Sequence, residues 1–267
     1  MSIYDKIITL AQKYCDDNYR YWVEKYQKER TGNDYPYTYT ENDYNLFPRY
    51  IKLGLISKGV DLLVDQQFKS FEDCVQSLLN AADFQGNSTT QLSNEVGKFA
   101  SEDEKLKYQK YILNFSESNL LTTLVEHSIY RKKLDEQEAK KIREKLLEKW
   151  NYSGSYWYPL IDTPLVSVLF LMDEYVLPFE KNIIDIVKSI SLCKFYAIDE
   201  IGDDYKYSLN TFNLSSLYET MCCDDTFEWV IYRSHEGTIA FGGEKLISQV
   251  KEILKHCKNK FNVLEFD

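Results

Sequence analysis

The sequence predicts an α+β protein: a mostly helical N-terminal region followed by a small α/β unit that ends in a β-hairpin and a C-terminal helix. Three observations predict it. Apolar residues recur at helical spacing through most of the first 150 residues. Between Phe227 and Phe241 the pattern turns to alternation, interrupted by a polar run that ends in Gly237. Beyond Gly242-Gly243 the helical period returns at Leu246, Ile247, Val250, Ile253 and Leu254. The expected domains are 1–150, the helical region, and 151–267, the α/β region with hairpin 227–241, unless the two form one continuous domain.

Taken in order, residues 3–30 read as one helix, from the spacing of Ile3, Ile7, Leu10, Ala11, Tyr14, Trp22 and Tyr26, with Gly32 as its stop. The Tyr-rich segment 33–50 has no helical period and reads as an ordered loop, with Pro48 opening the helix that carries Ile51, Leu55, Ile56, Val60 and Leu63. Ser70 is a suitable N-cap for a helix through Phe71, Cys74, Leu78 and Ala82, because its hydroxyl can accept from a free first-turn N–H. Residues 86–90 read as a loop, and helices are expected over 102–115, 118–132 and 135–150. The last opens on Asp135 and Glu138, spaced as a capping box.

The texture changes at the linker 151–155, which an aromatic cluster, Tyr156-Trp157-Tyr158, follows. Thr163-Pro164 has the N-cap and N1 pattern, so 164–175 is expected to be helical, with a further helix from Pro178. Leu192–Ile198 reads as a strand and 207–220 as a loop with a short helix. In the hairpin, Phe227, Trp229 and Ile231 share one face, beside Ile239 and Phe241.

Composition narrows the function. The 44% hydrophobic and 28% charged content is that of a folded globular chain. A net charge of −10 argues against phosphate-backbone binding and permits a basic partner, so no nucleic acid is expected. The basic segment 131–149 is interleaved with acids and reads as a solvated helix face. Leu165–Met172 is too short a run to cross a bilayer, and the charged start carries no cleavable apolar core. The six cysteines form no C-x-x-C pair, and the vicinal Cys222-Cys223 is poorly placed for a bridge. A reduced, cytoplasmic protein with no membrane contact is the expectation, with no cofactor and no metal site.

Catalytic signatures are sparse. His235-Glu236 lies at the hairpin tip, where a general base could sit, but polar tip residues most often form a solvated turn. The chain has no nucleophile elbow, no H-E-x-x-H, and neither Walker nor dinucleotide spacing around Gly242-Gly243. Two features point instead to binding. Acids crowd residues 199–228, among them Asp203, Asp204, Asp224 and Asp225, and would steer a basic partner. The 33–50 segment offers Tyr35, Tyr37, Tyr39, Tyr44 and Arg49, aromatic and guanidinium groups of the kind that dominate protein interfaces.

In this general character, acidic, Tyr-rich and without a catalytic signature, the chain is similar to bacterial immunity and inhibitor proteins. The likeness is one of composition and implies a non-enzymatic protein-binding protein that occludes a basic toxin. The alternatives are an enzyme, hydrolase-like, with a site around His235 and Glu236, and an adaptor, scaffold or homo-oligomer.

Overall fold

A computed structural model describes residues 2–30, 39–85, 94–125, 130–162 and 167–263. The chain is a mixed α+β protein. It divides into two compact units, Met1–Tyr130 and Arg131–Asp267.

The first unit is helical. α1 (Ile3–Glu29) starts at a capping box in which Ser2 Oγ accepts from Asp5 N and the Asp5 carboxylate accepts from Ser2 N. α2 (Glu41–Asp61) uses the same device at Thr40 and Asp43. α3 (Phe71–Ala81) starts at Ser70, as the sequence predicts. α4 (Glu95–Leu113) is capped by Asn94, whose side chain accepts from Gly97 N at 2.7 Å, and α5 (Glu117–Thr122) by Ser116. Their apolar stripes meet in one core of Ile7, Ala11, Cys15, Ile56, Val60, Cys74, Leu78, Tyr108 and Ile112. Each large aliphatic side chain buried there contributes about 1.5–3 kcal/mol. The Tyr108 hydroxyl keeps a partner inside the core by donating to the Leu78 carbonyl at 3.2 Å.

Three expectations change here. Residues 41–50 are helix, not loop, because the Thr40 capping box starts α2 a full two turns before Pro48. Pro48 lies inside α2, so the Tyr44 carbonyl loses its helical donor. α4 comes close at this point, where a Cβ on Gly97 would lie 3.3 Å from the Pro48 ring. α4 also begins at Glu95, ahead of the expected 102. The expected helix 118–132 is confined to α5; residues 126–129 lie outside the described residues, and Arg131–Lys133 is a strand. Tyr35, Tyr37, Gly32, Thr163, Pro164 and the 86–90 loop also lie outside them.

The second unit opens with β1 (Arg131–Lys133), α6 (Glu136–Trp150), α7 (Pro159–Asp162) and β2 (Val168–Met172). Next come α8 (Asp173–Val176), a 3-10 turn, α9 (Glu180–Ile190), β3 (Lys194–Asp199), β4 (Tyr205–Ser208) and β5 (Thr220–Cys223). β6 (Val230–Arg233), β7 (Thr238–Gly242) and α10 (Glu244–Ile253) complete it. Seven strands among the described residues form one antiparallel sheet in the order β1-β4-β3-β5-β6-β7-β2. Period-2 alternation sends Leu169, Leu171, Phe195, Ala197, Cys222, Ile231, Ile239 and Phe241 into a core shared with α9 and α10. The residues between them, Phe170, Tyr196, Ile198, Cys223, Tyr232 and Ala240, face a second core with Leu146 and Trp150 of α6 and with Trp157. Cys222 and Cys223 therefore point to opposite faces of one strand.

A sheet covered on both sides explains why part of the expected helix 164–175 is a strand. Leu169–Leu171 is a continuous apolar run because both faces of β2 are buried, and periodicity alone does not separate that from a helix. The strand expected over 192–198 is β3 (Lys194–Asp199), and the helices expected over 135–150, from Pro178 and beyond Gly243 are α6, α9 and α10. The hairpin pairs Ile231 with Phe241 and Arg233 with Ile239. Phe227 departs from its expected face. It adopts a left-handed φ of 54° ahead of β6 and turns into the α6 core, away from Trp229 and Ile231.

Gly242 and Gly243 are needed where they stand. A Cβ on Gly242 would meet the Trp150 ring at 2.5 Å, so only glycine lets the indole lie against β7. Gly243 has φ +105° and would place a Cβ 2.2 Å from the Glu228 carbonyl. The division at Tyr130, rather than at 150, follows from the same packing, because Trp150 ties α6 to the sheet. Among the described residues no helix is long and apolar enough to cross a membrane.

Candidate functional site

The β6–β7 turn, Ser234-His235-Glu236-Gly237, gathers the most chemistry. Its shape is fixed by Ser234 N donating to the Thr238 carbonyl at 3.0 Å and by Gly237 at φ +71°. Beneath it Arg233 is pinned by an ion pair with Asp173 at 2.8 Å and by bonds to the Ser215 and Leu217 carbonyls at 2.6 and 3.1 Å. Asp173 N in turn donates to the Gly237 carbonyl at 2.7 Å.

Antiparallel register brings distant residues to this turn. Thr220 pairs with Arg233, so Glu219, the residue before β5, arrives beside the tip. Its carboxylate lies 2.6 Å from His235 Nδ1. Glu219 holds a left-handed φ of 46°, a conformation that costs a non-glycine residue about 1–2 kcal/mol. The Tyr156 hydroxyl donates to Glu236, and its ring centroid lies 5.8 Å from that of His235. Burial and the Glu236 carboxylate push the Tyr156 phenol up to about 12, so it stays a protonated donor across the physiological range. Tyr156 packs on Tyr158 at 4.3 Å, and the exposed Tyr158 leads into exposed Leu160 and Ile161.

The tip is therefore a rigid surface of two carboxylates, an imidazole, two phenols and adjacent apolar side chains. His235 is 46% exposed and Glu219 17%, so water reaches the imidazole side of the pair. The nearest hydroxyl in sequence, Ser234, is 4% exposed and accepts from Glu236 N, which leaves it unsuited to act as a nucleophile. Among the described residues no group of three or more His, Cys, Asp or Glu is placed to hold a metal ion.

The other predicted residues lie elsewhere. Tyr39 is exposed and touches the rings of half-buried Tyr44 and Phe47, with centroids 5.8 and 6.3 Å away. Arg49 is inside the first unit, ion-paired to Asp103 and Glu104. In the second unit Asp203 pairs with Lys133 at 2.7 Å, and buried Asp204 takes a bidentate grip from Arg143 at 2.7 and 2.8 Å. Buried Asp224 accepts from Thr226 N and its hydroxyl, a local turn closure. Exposed Asp225 accepts from the Tyr196 hydroxyl and pairs with Lys194 at 3.1 Å. Much of the 199–228 acidity is thus spent inside the fold, and the carboxylates beside an aromatic surface are Glu219 and Glu236. The partnership of Glu219 and Tyr156 with His235 is absent from the sequence reading. Recognising 220–223 as a strand antiparallel to 230–233 would have supplied Glu219. No family model, curated protein or solved structure matches the chain.

Proposed function

We propose that this chain is a non-enzymatic protein-binding protein, in its most concrete form a bacterial immunity protein that blocks a cognate toxin in the cytoplasm. The observation that supports it is the preorganised tip of the second unit. Glu219 and Glu236 are held by His235 and Tyr156 beside exposed Tyr158, Leu160 and Ile161. A binding surface gains most when its side chains are fixed before the encounter, and aromatic anchors beside carboxylates suit a basic, partly apolar patch. Occlusion is the mechanism: the tip covers cationic residues of the partner's active site. Six free thiols fit a reducing compartment.

The test is capture of partners from native lysate by the tagged protein at low and high salt, beside a Glu219→Asn, Glu236→Gln, Tyr158→Ala variant. Asn tolerates the left-handed backbone at 219, so the fold is spared. One stoichiometric basic protein, released by salt and lost with the variant, is the expected result. A partner that the variant retains at all salts would refute the tip as the binding surface.

One observation favours a second reading. A His–Glu pair at 2.6 Å with a phenol alongside is an acid–base arrangement, and a hydrolase-like site at His235 and Glu236 would use it. Its openness to water weighs against it, since charge stabilisation is strongest in a dry site. Loss of a hydrolytic activity in His235→Ala, without loss of partner capture, would favour this reading.

A further inference from the structure

Three large apolar side chains stand out of α4 in a row. Phe99, Leu106 and Leu113 follow one another every seven residues and are 73%, 57% and 63% exposed. Single exposed leucines are common on a soluble surface, but seven residues make about two helical turns, so these three form one seam of about 21 Å. Its direction is fixed, because Gly97, Ala100, Glu104, Tyr108 and Ile112 of the same helix are buried in the first unit. An exposed apolar seam at heptad spacing is the face that one helix offers to another.

The order of residues along the seam selects the other helix. Phe99 and Leu113 stand seven residues before and after Leu106, and Glu102 and Lys110 stand four before and after it. A second α4 laid antiparallel, Leu106 on Leu106, therefore sets Phe99 on Leu113 and Glu102 level with Lys110, twice over by the two-fold symmetry. A parallel copy would set Glu102 against Glu102 and Lys110 against Lys110, so the charges favour the antiparallel arrangement. Both charges are available for it. Lys110 is exposed and makes no ion pair with any described residue. Glu102 is 56% exposed and lies 3.8 Å from Lys105 Nζ, which is held more closely by Asp83 at 2.6 Å. The neighbouring charges are satisfied within their own copy, Lys98 by Glu95 at 3.0 Å and Lys107 by Asp103 and Glu104, each at 2.9 Å.

We propose that the chain forms a two-fold symmetric dimer in which α4 packs antiparallel against α4 of a second copy. Phe99, Leu106 and Leu113 make its apolar centre, and Glu102 with Lys110 sets its direction and register. A single helix pair buries less than the about 1,200–2,000 Å² of a standard interface, so the dimer is weak and reversible. The seam belongs to the first unit and the tip to the second, so the dimer stands or falls apart from the protein-binding proposal.

The experiment is sedimentation equilibrium of the full chain from about 5 to about 500 µM, a range that brackets a micromolar Kd. A reversible monomer–dimer equilibrium is expected. Leu106→Glu brings two carboxylates to the two-fold axis and should abolish the dimer, while the melting temperature of the monomer holds because the position is exposed. Lys110→Glu should weaken the dimer at least about fivefold by turning two attractions into repulsions. Adding Glu102→Lys to that variant should recover most of the loss. The Lys110 pair of variants decides the matter if Leu106→Glu fails to fold. A monomer at every concentration overturns the dimer. So does a dimer that Leu106→Glu leaves intact, since its interface would lie elsewhere. A dimer lost with Leu106→Glu but indifferent to both charge variants overturns the antiparallel pairing. A monomer that captures a different protein, and loses it with Leu106→Glu, assigns the seam to that partner and overturns self-association.

Discussion

Arg49 is where a sequence pattern and its setting part most clearly. An Arg among tyrosines resembles an interface anchor, but this one is 7% exposed, lies over the Trp22 ring at 4.8 Å and spans Asp103 and Glu104. It holds α2 against α4 by sharing two carboxylates with Lys107, one of them, Glu104, almost fully buried. Arg49→Ala should therefore destabilise the first unit by about 1–3 kcal/mol, because Glu104 then keeps only the Lys107 ammonium at 2.9 Å. Urea unfolding followed by helical circular dichroism measures this. The pH dependence has a definite sign. Burial works to raise the Asp103 carboxyl, but hydrogen bonds from Arg49 and Lys107 outweigh it and hold its pKa below the usual value. A depressed carboxyl stabilises the fold above its unfolded pKa of about 3.9 and loses that contribution as pH falls through the folded value. The gap between wild type and Arg49→Ala should shrink below about pH 4; a gap that stayed constant would mean Asp103 adds nothing. No position in the sequence marks Arg49 as internal, since its partners lie some fifty residues away on another helix.

At the scale of elements, local chemistry was readable where a cap or a glycine acts within its own turn. Ser70, Asp135 with Glu138, and Gly242-Gly243 each mark a boundary that the structure keeps. What was not readable depended on what covers an element. β2 reads as a helix because both faces of the sheet are buried there, and β1 reads as the end of a helix because its Arg-Lys-Lys run suits a charged sheet edge as well as a helix surface. The same limit hid the tip. His235 and Glu236 are visible in the sequence, but Glu219 joins them only through the β5–β6 register. Gly243 offers the sharpest test at this scale, since its φ of +105° and the adjacent Glu228 carbonyl both exclude a side chain. Gly243→Ala should cost about 1–3 kcal/mol from the backbone conformation alone, and more once the clash displaces the start of α10. Thermal unfolding compares it with Gly154→Ala, also at positive φ but facing the Arg143 guanidinium and no backbone atom, where the loss should be smaller.

For the whole molecule, the change in sequence texture at 151–155 suggested a boundary that packing places twenty residues earlier, between Tyr130 and Arg131. The reason lies in α6. Its surface is charged like that of the preceding helices, but Leu146 and Trp150 are buried with Tyr232, Val230 and Ala240, so a helix of ordinary appearance completes the sheet's second face. The Trp150 indole N–H donates to the Phe227 carbonyl at 3.1 Å, and Trp157 donates to the Trp150 carbonyl at 3.0 Å, fastening the helix, the segment after it and the approach to β6. A unit with its own two cores should fold alone. Residues 131–267 expressed separately should give a sheet-containing circular dichroism spectrum and one cooperative urea transition, whereas residues 151–267, lacking α6, should aggregate through the exposed Tyr232 face. If both fragments fold equally well, α6 is dispensable to the sheet. If neither folds, the second unit depends on the first, and the boundary at Tyr130 would describe packing density but not folding.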